Sequence, residues 1–179
     1  MTGAVVTGAV DVLVAGIGDI LSGDDGFGVE VARRLARRPL PPNVRVVELG
    51  IRGFDLAAAL SERPKLAILL DATSRGGPPG TLYVLEPGDL GAASAIDPHG
   101  LHPVRAIELA RRLGGLPEVM RVVACEAKTL GSAEVPEMGL SPEVLAAVDP
   151  AVDLTLGLVR PFLVRPSLVQ PDPGGARDA

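Results

Sequence analysis

The sequence predicts an α/β fold: a single three-layer domain in which a twisted, mostly parallel sheet of about five strands carries helices on both faces. Three observations predict it. Segments of strand length alternate along the chain with segments of helical period. The strand segments are continuously apolar rather than alternating in polarity, so they need cover on both faces, and strand–helix alternation supplies it through parallel crossovers. The 179 residues, 47% hydrophobic and 22% charged, have ordinary globular composition and contain no repeat or interdomain linker, which bounds the chain to one domain.

Each element has its own reason. Residues 1–9 (MTGAVVTGA) read as a short N-terminal extension before a domain spanning 10–165. VDVLVAG, 10–16, is rich in β-branched residues and is stopped by Gly16 and Gly18, which marks a buried strand. From about Asp25 the period changes: Phe27, Val31 and Leu35 fall on one helical face, and Arg33, Arg34, Arg37 and Arg38 crowd the far end. Acids at the start and arginines at the finish both suit the helix dipole, and Pro39, Pro41 and Pro42 end the helix. VRVVEL (44–49) is a second strand, and GFDLAAALSE (53–62) a short helix. LAILLD (66–71) is a third strand with an acid in last place, GGPPG (76–80) a turn, and TLYVLE (81–86) a fourth strand. PVRAIELARRL (103–113) is a helix opened by Pro103 and followed by Gly114 and Gly115, and VMRVVAC (119–125) is the fifth strand. Ser141-Pro142-Glu143 opens a last helical region that Pro150 is expected to break or kink. Beyond Pro161 the period is lost, and 166–179 reads as a Pro/Gly-rich tail.

Composition excludes several classes of function. A net charge of −5, no basic arm and only 2% aromatic residues argue against nucleic-acid binding. One cysteine rules out an internal disulfide framework and suits a reducing cytosol. The first eighteen residues are apolar, yet they hold no basic residue (the first is Arg33) and Asp11 interrupts them, so they do not read as a signal peptide. No run approaches the ~20 apolar residues of a membrane span. A soluble, cytoplasmic monomer without membrane or nucleic-acid partners is expected.

In an open α/β sheet, ligands bind beyond the carboxyl ends of the strands. Asp19, Asp24 and Asp25 follow the first strand, Glu48 closes the second, Asp71 the third, and Glu126 follows the fifth. The loop DPHGLH (97–102) holds both histidines, His99 and His102. Two or three carboxylates with an imidazole would hold a borderline divalent metal with open positions, or supply acid–base chemistry. Simpler roles compete: Asp24 as N-cap of the following helix, Asp25 as complement to its dipole, His102 as a cap or surface group, Glu126 as a local pairing group, Cys125 as a small hydrophobe. Asp71 resists such a reading, because a charge ending an apolar strand must be paired, capped or functional. The glycine loop is not a dinucleotide fingerprint, since Leu21 stands where the third glycine belongs, and no Walker A motif occurs.

The residues resemble a known family, the hydrogenase maturation proteases. Three blocks carry the resemblance in order: GIGDILSGDDGFGVEVARRL (16–35), LAILLDATSRGGPPGTLYVLE (66–86) and DPHGLHPVRAIELARRLGGLPEVMRVVACE (97–126). MGLSPEVLAAV (138–148) resembles the family's closing segment, and together these cover about residues 11–160. The resemblance implies an aspartic-type endopeptidase that trims the C-terminus of a nickel–iron hydrogenase large-subunit precursor. It places the metal-contacting and catalytic residues at Asp25, Asp71 and His99, with nickel arriving in the precursor rather than held as a cofactor. Departures from the family pattern lie at Asp19, usually Asn, at ELGIRG (48–53) in place of D-G-G-T, at CEA (125–127), which lacks a proline often found there, and at His102, often Asp. The altered 48–53 loop bears on the choice of precursor. A non-proteolytic nickel-maturation chaperone, or a Rossmann-like nucleotide-binding module, is the competing reading. Phosphate at the N-terminus of the first helix would meet the Asp24-Asp25 pair, which disfavours the nucleotide.

Overall fold

A computed structural model describes residues 10–92, 103–131 and 137–163. The expected N-terminal extension (1–9), the tail (166–179), and both His99 and His102 lie outside the described residues. In chain order the elements are β1 (Val12–Ile17), α1 (Phe27–Ala36), β2 (Val44–Gly50), α2 (Gly53–Ser61), β3 (Leu66–Thr73), β4 (Leu82–Leu85), α3 (Pro103–Leu113), β5 (Val119–Glu126) and α4 (Pro142–Val159). The sheet runs β2-β1-β3-β5-β4, parallel except for β4, which pairs antiparallel with β5 at one edge.

The strands are apolar on both faces because both faces are covered. Val12 and Val14 of β1, Ile68 and Leu70 of β3, and Val123 and Cys125 of β5 point to the α1/α4 side, against Phe27, Val31, Leu35, Val144, Val148 and Val152. The alternate residues Leu13, Ala15, Ala67, Leu69, Val122 and Ala124 point to the α2/α3 side, against Leu56, Leu60, Ala106, Ile107 and Ala110. Each large side chain buried in these layers stabilises the fold by about 1.5–3 kcal/mol. The spacing of Phe27, Val31 and Leu35 thus does what the sequence predicts, laying one face of α1 on the sheet.

Two local expectations differ from the structure. The helix after β1 begins at Phe27, preceded by a separate 3-10 turn, Asp24–Gly26, and α1 has no side-chain cap. Proline 150 neither breaks nor ends α4, which runs unbroken from Pro142 to Val159. Pro150 and Ala146, whose carbonyl loses its usual helical donor, are both exposed, so water can satisfy that carbonyl. Meanwhile Val144, Ala147, Val148, Ala151, Val152 and Thr155 are buried on either side and hold the helix to the sheet. Among the described residues no helix is long and apolar enough to cross a membrane.

Candidate active site

The strand order fixes where a site can form. From β1 the chain passes through α1 to β2 on one side; from β2 it returns past β1 to β3 on the other. The crevice between the carboxyl ends of β1 and β3 is therefore the topological switch point. Asp25 follows β1 and Asp71 lies near the end of β3, so the two carboxylates flank this crevice.

Close packing of α1 brings them together. A Cβ at Gly28 would overlap the carbonyl oxygens of Leu70 and Ile17, and one at Gly16 would overlap Gly28 O. The start of α1 thus rests directly on β1 and on the β3 residue preceding Asp71. Gly18 serves the same end: it adopts φ +114°, and a side chain there would strike Asp25 O. The backbone N–H of Asp19 donates to Asp25 Oδ2 at 2.5 Å.

Asp71 keeps some solvent contact as a residue, but its carboxyl is closely enclosed. Burial, and then the negative charge of Asp25 beside it, push it up to about 8, against a small opposing effect of the Ala72 N–H that donates to its Oδ1 at 2.9 Å. Near neutrality Asp71 therefore carries a proton over much of the population, while Asp25 supplies the neighbouring negative charge. An acid whose proton affinity is raised beside a second carboxylate is suited to acid–base work.

The other candidate acids divide sharply. Asp24 is fully buried and does not cap α1. It accepts from Lys128 N at 2.9 Å, Thr129 N at 3.2 Å, and Ser141 N and Oγ at 2.7 and 3.0 Å. Burial alone would raise its proton affinity, but these donors outweigh it and hold the carboxyl below its ordinary value. Glu126, also buried, binds the loop that leaves β3: it accepts from Arg75 N, Gly76 N and the Tyr83 hydroxyl, at 2.8–3.1 Å. Asp19 accepts from Leu21 N and Ser22 Oγ and shapes its own loop. Glu48 pairs with Arg33, 2.8 Å distant. Cys125 is buried as a small hydrophobe; desolvation, with the charges of Asp24 and Glu126, pushes its thiol up to about 12, which leaves no nucleophile. Among the described residues no three His, Cys, Asp or Glu side chains cluster so as to hold a metal ion by themselves.

On the Gly18–Asp19 turn that contacts Asp25 lies an open cleft of about 270 Å³, lined by neither Asp25 nor Asp71 and walled by Gly18, Asp19 and Ile20 on one side and by residues 48–52 on the other. Its lining combines the Arg33–Glu48 ion pair with the exposed apolar groups Ile20 and Ile51. The sequence pattern pointed to Asp25 and Asp71 but did not reveal the partners of Asp24 and Glu126. Ser141, Lys128, Arg75 and Tyr83 carry no local signal of those contacts, because each acts across a long sequence separation.

Comparison with known proteins identifies the family. Residues 29–158 match the family described as hydrogenase maturation protease. The hydrogenase 2 maturation protease of Escherichia coli is 30% identical over 152 residues, which cover 83% of this chain and 90% of that protein. Among solved structures, the hydrogenase maturating endopeptidase HybD of E. coli superposes with a TM-score of 0.73 at 28% identity, covering 84% of this chain and 92% of the other. The hydrogenase 2 maturation peptidase of a Thaumarchaeota archaeon gives 0.62 at 34% identity, covering 83% and 97%. With a matched segment that runs from within α1 almost to the end of α4, and these relatives aligned over nearly their whole length, the chain belongs to the hydrogenase maturation protease family and is a hydrolase.

Proposed function

We propose that the protein removes the C-terminal extension from a hydrogenase large-subunit precursor that already carries nickel, and that Asp25, Asp71 and His99 meet that nickel. The observation that carries the reading is the meeting of Asp25 and Asp71 at the switch point of the sheet, one of them with a strongly raised proton affinity. Two carboxylates and an imidazole leave coordination positions for the precursor's own ligands, so nickel enters as part of the substrate. A divalent cation approaching the pair favours the ionised form of both acids, so the proton on Asp71 is exchanged for the metal. Peptide hydrolysis then needs a water molecule deprotonated by a carboxylate. The hydroxide adds to the scissile carbonyl carbon, and the proton passes to the departing amine. The open cleft on the Gly18–Asp19 turn, with the altered 48–53 segment as one wall, is where the precursor chain approaches, and it sets which precursor is accepted. The reading carries with it a cytoplasmic protein that acts as a monomer.

The test is mass spectrometry of a large-subunit precursor from the same source, incubated with the protein with and without nickel loading. Loss of one C-terminal peptide only in the loaded sample is expected, and Asp25→Asn and His99→Ala should each abolish it. Nickel-dependent association without cleavage would replace this reading with a chaperone. The absence of both cleavage and association would overturn it.

A further inference from the structure

Asp24 and Asp25 are consecutive, yet their carboxylates face different partners. We propose that Asp24 is a positioning residue for the peptidase site: its buried carboxylate, gripped by Lys128, Thr129 and Ser141, fixes the turn that aims Asp25 at Asp71. The inference rests on the function proposed above for Asp25 and Asp71. The turn Asp24–Gly26 is only three residues long, begins after Gly23 at φ 60°, and ends on Gly26, with no side-chain cap of its own. Its internal hold consists of Asp25 N to Ser22 O at 3.3 Å and Gly26 N to Gly23 O at 3.1 Å. Two glycines flanking so short a turn leave it many alternative conformations. The four donors on Asp24 select one of them.

The cost of this arrangement is visible at the other end. Ser141 is the N-cap residue of α4, where a serine hydroxyl ordinarily accepts from the first turn of its own helix. Here α4 has no side-chain cap, and the Ser141 hydroxyl and amide both donate to Asp24 instead. The same loops are tied to the chain just before the turn: Gly23 N donates to Glu137 O at 2.7 Å, Glu137 N to Leu21 O at 2.9 Å, and Gly131 N to Ser22 O at 3.1 Å.

Two variants and two readouts test this. Ser141→Ala removes a single donor and leaves three backbone donors, so it keeps the fold even if Asp24→Asn does not. In the free protein, Ser141→Ala should raise amide exchange at Asp25 and Gly26 about tenfold, the order of one hydrogen bond to a charged acceptor, while Leu69 and Leu70 in β3 stay unchanged. On nickel-loaded precursor, at a temperature where the variant is fully folded, kcat should fall by a similar factor with KM nearly constant. Ser141→Thr, which keeps the hydroxyl, should restore both values. Asp24→Asn, where it folds, should lower kcat by about a hundredfold, as expected for a misplaced reacting group. Wild-type exchange at Asp25 and Gly26 in Ser141→Ala, or a uniform rise across the sheet with unchanged kcat, would overturn the proposal. If the wild-type protein cleaves nothing, the proposed function fails, while the exchange at Asp25 and Gly26 still decides the role of Asp24.

Discussion

Gly28, the second residue of α1, lies so close to the carbonyl of Leu70 that no side chain fits between them, and Leu70 is the residue before Asp71. The first turn of the helix after β1 is thereby clamped to the end of β3. Gly28→Ala must push α1 outward, and because backbone rather than a flexible side chain stands in the way, relief is expensive. A loss of about 1–3 kcal/mol is expected from overpacking, measured by denaturant unfolding. Cleavage activity should fall further than stability, since the displacement separates Asp25 from Asp71.

Asp71 makes stability depend on pH in a defined direction. In the unfolded chain it titrates near 3.8; in the folded protein it is raised to about 8 by burial and by Asp25. The folded state holds this proton more tightly, so the contribution is fully present below about pH 4 and is lost as pH rises through about 8. Asp71→Asn cannot ionise. Its Tm advantage over the wild-type protein should be negligible near pH 4, grow up to about pH 8, and level off beyond. A difference independent of pH over that range would count against the assignment.

Glu126→Gln should loosen the loop that leaves β3. The glutamine keeps one acceptor oxygen but turns an N–H toward Arg75 N and Tyr83 Oη, which in the wild-type protein donate to the Glu126 carboxylate together with Gly76 N. A loss of about 1–3 kcal/mol follows from leaving buried donors unpaired. Tyr83→Phe should cost less, about 1 kcal/mol, since it removes one donor and leaves two residues' amides in place. A double-mutant cycle between the two sites, read by urea unfolding, would show a non-zero coupling.

The Arg33–Glu48 pair should behave differently. Its side chains are 41% and 42% exposed, so the ion pair is screened by water and salt. Glu48→Gln should change stability by no more than about 1 kcal/mol. Because the pair lines the cleft proposed to receive the precursor chain, the same substitution should raise KM for the precursor with little change in kcat. Equal losses in kcat and kcat/KM would instead place Glu48 at the reacting centre.

Periodicity and punctuation carried most of the fold in the sequence. Phe27, Val31 and Leu35 marked α1, the unbroken run LAILLD marked β3, and Pro103 with Gly114 bracketed α3, because these signals are local and the sheet needs what they provide. Strand ends, where α/β sheets present ligating groups, marked Asp25 and Asp71 only together with Asp19, Asp24, Glu48 and Glu126, and the family resemblance singled out the two. The role of Asp24 was not legible. Capping preference is a property of a residue and its next few neighbours, whereas the donors that claim Asp24 lie more than a hundred residues away, at Lys128, Thr129 and Ser141. Pro150 misled in the opposite sense. Its local penalty is real, but the buried residues on both sides of it outweigh the loss of one exposed helical hydrogen bond.

The place of β1 and β3 among the three inner strands has a further consequence. β1 and β3 are flanked on both sides by other strands, and Asp25 and Asp71 hang from their ends, while β2 and β4 form the borders of the sheet. Opening fluctuations in a sheet begin at its borders and reach the middle only near global unfolding. The borders can therefore breathe as a large folded partner docks and departs, with the spacing of the two acids left undisturbed. Precision and accommodation are housed in different strands, and the enzyme need not trade one for the other.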